Sequence, residues 1–194
     1  MRPDADRWLD RRLPLVAARV AGEPILELGC GSGRDTEVLA EAGHRVVALD
    51  LSPAKLEEAR SRVSAAEFHC QDIRDPFPDS AAHARVVVAS LSLHYFPRQE
   101  TRAVVGRIRD LLLPDGLLLC RLNSTKDLHF GAVGHPEIEK DLYLVDGRPK
   151  RFFDRTAVEA LFAAGWHALE LEERTIRRYA EPKVVWEVVA ETVA

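Results

Sequence analysis

Five short apolar runs, "PILELG" at 24–29, "HRVVALD" at 44–50, "AEFHCQD" at 66–72, "ARVVVASLS" at 84–92 and "GLLLCRLN" at 116–123, alternate with stretches of helical periodicity. Runs this short, bounded by turn residues, read as strands buried on both faces, because a strand covered by helices on each side has no solvent face to make polar. The intervening segments carry helix punctuation. Val38, Leu39 and Ala42 share one side of a segment that stops at Gly43, and Ser52 before Pro53 marks a helix start. Val104, Val105, Ile108, Leu111 and Leu112 form a stripe ending before Pro114. Asp154 is placed to cap a helix carrying Val158, Leu161 and Phe162, closed by Gly165. Strand and helix in alternation predict an α/β fold, a doubly wound three-layer sandwich around a mostly parallel sheet. The segment through Val20 reads as helical, interrupted or restarted at Pro14.

With 194 residues the expectation is a single domain over residues 1–194. A formal charge of -4 offers no general attraction to phosphate backbones, so small molecules are favoured over nucleic acid as partners. Cys30, Cys70 and Cys120 are odd in number and sit in or beside apolar runs, which suits a reducing compartment. No apolar stretch has membrane-spanning length and "MRPDADRWLDRR" is too polar for a secretory signal, so a cytoplasmic location without membrane contact is expected. The histidines, cysteines and acids show no tight ligand spacing, and no metal is expected. No apolar stripe announces an interface, which leaves the oligomeric state open.

Chemistry enters at the end of the first run, "ILELGCGSG". In a doubly wound sheet, ligands bind beyond the carboxyl ends of the strands where strand order reverses, usually at the first strand. Gly29, Gly31 and Gly33 stand there, letting backbone amides and the next helix approach a ligand. Aligning Gly29 and Gly31 with the dinucleotide fingerprint G-x-G-x-x-G puts Arg34 at the third glycine, which disfavours a nicotinamide-dependent oxidoreductase. Asp50 closes the second run about twenty residues past the loop, where such a sheet needs an acceptor for ribose hydroxyls.

Glu27 followed by Gly29-Cys30-Gly31-Ser32-Gly33 resembles the first motif of class I S-adenosylmethionine-dependent methyltransferases. The resemblance implies a seven-stranded sheet whose last strand is antiparallel. It implies a loop running beside the methionine part of the cofactor, with Glu27 helping to place it. "HCQDIRD" is similar to the family's adenine site, so Asp72 would accept from the exocyclic amine and Ile73 would offer its backbone amide and apolar contact. Backbone groups at Ser90 would border the methionine end. Arg34 and Asp35 fit small bacterial members that include tellurite-resistance-type enzymes. Cys30 reads as a packing residue rather than a nucleophile.

The implied reaction is methyl transfer from S-adenosylmethionine to an oxygen, nitrogen or sulfur atom of a small molecule. It needs alignment and exclusion of water more than covalent machinery. Ser90-Leu91-Ser92-Leu93-His94-Tyr95 replaces the Asp/Asn-Pro-Pro-aromatic sequence of members that methylate DNA bases or glutamine side chains. His94 is the candidate base, against the alternative that it only packs on the cofactor or orients a loop. Tyr95 reads as a wall of the acceptor site. Residues 124–153 read as a substrate-covering insertion, with an Asp146-Gly147 hairpin turn in "LYLVDGRPKRFF". Asn123, Tyr143 and Arg151 are its candidate substrate contacts, Arg151 as a fork for a carboxylate or else as a solvated surface arginine. A different class, a catalytically silent cofactor-binding regulator, would keep the loop and lack a productive acceptor pocket.

Overall fold

The computed structural model describes residues 8–177 and 179–193; the start of the expected N-terminal helix, residues 1–7, lies outside them. Seven strands form the main sheet: β1 (Ile25–Leu28), β2 (Val46–Asp50), β3 (Glu67–Cys70), β4 (Val86–Ser90), β5 (Leu117–Asn123), β9 (Trp166–Ile176) and β10 (Lys183–Thr192), in the order β3-β2-β1-β4-β5-β10-β9. β1 to β5 pair in parallel, and β10 runs antiparallel to both β5 and β9. The α/β sandwich with an antiparallel last strand is therefore the fold of this chain.

Alternation along the strands divides the core in two. Leu26, Leu28, Val47 and Leu49 pack on the side of α4 (Arg98–Leu111) and α5 (Arg155–Leu161). Ile25, Val46, Ala48, Val86 and Val88 pack on the side of α1 (Leu13–Val20), α2 (Arg34–Glu41) and α3 (Pro53–Arg62). Because side chains alternate with period two, Glu27 and Asp50 fall on this second face. Of the predicted stripe, Val104, Val105 and Ile108 are buried within α4, Leu111 is half-buried and Leu112 is buried just past the helix end; Thr101 joins them. Ser52 and Asp154 cap α3 and α5, accepting from the amides of Lys55 and Ala157 at 3.4 and 2.7 Å.

One expectation changes: β3 is an edge strand, and its four residues are exposed or half-buried rather than covered on both faces. Of the two readings of Pro14, the restart holds: it sits in the first turn of α1, after a 3-10 turn at Asp10–Arg12, where its missing amide proton costs nothing.

Residues 124–153 carry a separate three-stranded sheet of β6 (Glu137–Glu139), β7 (Leu142–Val145) and β8 (Arg148–Arg151), with β7 and β8 joined through Asp146-Gly147 as the turn signal predicts. Among the described residues no helix is long and apolar enough to cross a membrane.

Candidate active site

Strand order reverses at β1, between β2 and β4, and the carboxyl ends of β1, β2, β4 and β5 converge above that point. A cavity of about 380 Å³ opens there, within the range of small-molecule sites. Its floor is the loop after β1. A Cβ on Gly29 would lie 2.5 Å from Ser92 Cβ and one on Gly33 would lie 3.0 Å from Ala59 of α3, so both are glycine because the protein itself presses on them. Gly31 differs. With φ of 55° it lies on the cavity wall, and a Cβ there would meet nothing within 4 Å. Its bare backbone leaves room for something other than protein.

Two carboxylates flank this floor. Asp50 accepts the amide of Gly31 at 2.8 Å on Oδ2 and that of Ser52 at 2.9 Å on Oδ1, which locks it to the loop while each oxygen keeps a lone pair. Glu27 is buried, with Oε2 accepting the Thr36 hydroxyl at 2.5 Å. Burial first, then the charges of Asp35 and Asp50, push its carboxyl up to about 8. A cation delivered here would be well matched. Cys30 is also buried, and burial pushes its thiol up, away from thiolate chemistry.

The opposite wall comes from β4, β5, β10 and the insertion. Ser90 Oγ accepts from Arg121, whose guanidinium is fully buried and stacks 4.6 Å from the Trp8 ring. Trp8 Nε1 in turn donates to Asp35 at 3.1 Å, so the chain ahead of α1 closes this side. Leu91 takes a left-handed backbone with φ of 58°, a conformation costly for a branched side chain, directly beside the cavity. His94 is buried against Tyr95, with ring centroids 4.2 Å apart. Burial, with the charges of Lys183 and Lys150, lowers its pKa well below the usual imidazole value, so the ring is neutral and a weak proton acceptor.

Four buried polar atoms of this wall have no hydrogen-bond partner: Nδ1 and Nε2 of His94, Oγ of Ser92 and Oδ1 of Asn123. Such atoms are costly to leave unpaired, and their gathering on one surface fits a ligand site.

The structure thus brings Glu27, Gly29, Gly31, Asp50, Ser90, His94, Tyr95 and Asn123 to one cavity. Gly33 stands at the start of α2, just behind it. Other expected residues fall elsewhere. Asp72 is held by Arg74, which donates to both carboxylate oxygens, and it does not line this cavity. The Ile73 side chain lies in the core, and its carbonyl accepts from Arg107. Tyr143 packs 6.0 Å from Phe152, away from the cavity. Arg151 is neither a solvated surface residue nor a wall of this cavity: its buried guanidinium donates to the carbonyls of Phe96 and Lys140 and pairs with Glu139. It ties the small sheet to the loop after β4.

Contributors that sequence reasoning missed include Ser92, Arg121, Phe130, Lys150, Tyr179 and Lys183. Lys150 neighbours the expected Arg151 in sequence, and strand alternation was the available signal that only one of the pair faces inward. Among the described residues, no group of three or more histidine, cysteine or acidic side chains is arranged to hold a metal ion.

Residues 25–116 match a family described as a methyltransferase domain. The chain is 30% identical over 173 residues to malonyl-[acyl-carrier protein] O-methyltransferase of Serratia marcescens, covering 88% of this chain and 64% of that one. It is 35% identical over 117 residues to trans-aconitate 2-methyltransferase of Paracidovorax citrulli strain AAC00-1, covering 59% and 43%. The chain therefore spans less than two thirds of the length of each of these relatives. Its fold superimposes, at a TM-score of 0.74 and 22% identity, on 1,6-didemethyltoxoflavin-N1-methyltransferase of Burkholderia thailandensis, solved with 1,6-didemethyltoxoflavin and S-adenosylhomocysteine, over 100% of this chain and 80% of that one. The matched segment begins on β1 itself and takes in the glycine floor, both flanking carboxylates and the β4 wall, so residues 25–116 carry a methyltransferase domain, similar to that of the class I S-adenosylmethionine-dependent methyltransferases.

Proposed function

We propose that this protein methylates a small molecule, using S-adenosylmethionine bound over Gly31 between Glu27 and Asp50. The observation that carries this reading is the open space above Gly31, flanked by two carboxylates, at the point where strand order reverses. When bound there, S-adenosylmethionine supplies an electrophilic methyl group on a sulfonium sulfur.

Each residue has a task suited to its chemistry. The backbone from Gly29 to Gly33 lets the methionine part lie close. Glu27 accepts from its ammonium group, and the cation in turn favours the ionised carboxylate that burial opposes. Asp50, held by two backbone amides, has the remaining lone pairs to accept both ribose hydroxyls. Ser90 and Leu91 border the methionine end. His94 orients the acceptor through its unpartnered ring nitrogens rather than taking its proton, since a ring of such low proton affinity is a poor base. Residues 124–153 cover the acceptor end, to which they contribute Phe130 and Lys150.

Oxygen is the acceptor atom we adopt, in keeping with the O-methyltransferase named above. Isothermal calorimetry against S-adenosylhomocysteine and NAD tests the reading: binding of the first and not the second is expected, and no binding of the first would remove it.

A further inference from the structure

The cavity is electrically polarised along its length. At the glycine floor stand Glu27, Asp35 and Asp50; around the Phe130 ring stand Lys150 and Lys183. The cationic end is built, and it consists of more than scattered surface charge. Lys183 is nearly fully buried, and its Nζ lies 2.6 Å from Oδ2 of Asp127, which also accepts the Val184 amide on Oδ1. That pair is neutral as a unit. Lys150 differs, because its Nζ donates at 2.5 Å to a backbone carbonyl, that of Phe130, and not to a carboxylate; burial, then Lys183, lower its pKa to about 8, which leaves it mostly protonated near neutral pH. Its ammonium and that of Lys183 stand 5.8 and 4.7 Å from the Phe130 ring, which puts both lysines on one aromatic surface. Beside them lie the unpartnered atoms of His94 and Asn123.

A half-buried lysine with no carboxylate of its own, beside a second lysine, is complementary to an anion. The neutral state of His94 sharpens the choice among anions and their acids. A phenol or alcohol acceptor has to lose its proton as the methyl arrives, and His94 is held in a form that resists taking one. A carboxylic acid is already ionised near neutral pH and needs no base.

We propose that the acceptor end takes a small carboxylic acid as its anion, seated on Lys150 with Lys183 beside it, and that a carboxylate oxygen receives the methyl group. This rests on the reading that the other end holds S-adenosylmethionine. The carboxylate oxygen forms the new carbon–oxygen bond as the methyl–sulfur bond breaks, and the electron pair of that bond stays on sulfur. The products are a methyl ester and S-adenosylhomocysteine, and no proton moves.

The experiment pairs a panel of small mono-, di- and tricarboxylic acids with their amides, measuring S-adenosylhomocysteine release and methanol liberated from the product by alkali. Turnover of at least one acid but not its amide, with alkali-labile methyl, is expected. Lys150→Gln should raise KM for that acid by roughly tenfold or more while kcat changes little, and Lys150→Arg should hold KM within a few-fold. Calorimetry on the S-adenosylhomocysteine-saturated protein should show the same loss of acid affinity in Lys150→Gln, with S-adenosylhomocysteine itself bound as tightly as before. Three results would each overturn the proposal while S-adenosylhomocysteine still binds: no acid turned over, an alkali-stable methyl product, or an unchanged KM in Lys150→Gln. Loss of S-adenosylhomocysteine binding in the unaltered protein would instead remove the underlying reading.

Discussion

Replacing Glu27 by Gln changes one atom type at the most strongly perturbed carboxyl of the cavity. Burial, reinforced by Asp35 and Asp50 and only partly offset by the Thr36 hydrogen bond, moves this group from 4.5 to about 8. Between those values the folded chain holds a proton that the unfolded chain has released. Stability is therefore fully present below about pH 4.5 and is lost as pH rises toward about 8. At about 1.4 kcal/mol per pKa unit, the loss accumulates to on the order of 4 kcal/mol near the upper end of the window. An amide at this position keeps an oxygen for the Thr36 hydroxyl and does not titrate. Thermal unfolding of the ligand-free protein should therefore show the Glu27→Gln variant melting roughly 10 °C above the wild type at about pH 8, the gap closing by about pH 5. The same variant should bind S-adenosylhomocysteine more weakly, since the carboxylate that meets the ligand's ammonium group is gone. Stability would rise as binding falls. Parallel melting-temperature profiles for the two proteins across this range would refute the assignment of the buried charge to Glu27.

Gly31→Leu should weaken S-adenosylhomocysteine binding at least roughly 100-fold, because the new side chain enters the open space above the loop; its left-handed backbone adds about 1–3 kcal/mol of destabilisation. Calorimetry together with a retained circular dichroism spectrum would check this, and unchanged affinity would contradict it. Lys183→Met leaves the fully buried Asp127 carboxylate without its ion pair and should cost about 3–5 kcal/mol in denaturant unfolding. Adding Asp127→Leu should recover at least half of that loss, and a double variant no better than the single one would place the cost elsewhere.

Much of the cofactor end was legible in the chain because its parts are local. The glycines follow β1 directly, and Asp50 ends β2, so strand alternation and the switch-point rule place them with no knowledge of distant packing. The acceptor end was legible only in outline. Arg151 had the better chemistry for a carboxylate, yet Lys150 is the one that reaches the cavity. A one-residue step along β8 reverses which face a side chain takes, and the register against β7 fixes that step. Asp72 was read correctly as lying just past a strand end, but the fork from Arg74 depends on a side-chain conformation that spacing does not reveal. Arg121 sits inside an apolar run of fully buried residues and reads locally as an interruption of a strand. It becomes a site residue only because Trp8, more than a hundred positions away, covers it.

The sequence by itself determined the layered α/β architecture and the loop over which a ligand can lie, since each follows from periodicity and turn chemistry over a few consecutive residues; the direction reversal at the final strand followed only from the family resemblance. Only the tertiary structure decided the charge of the acceptor end. Lys150 from the insertion, Lys183 from β10 and His94 from the loop after β4 are far apart along the chain, and chain folding alone gathers them around one small volume. There burial fixes which of them can carry a proton.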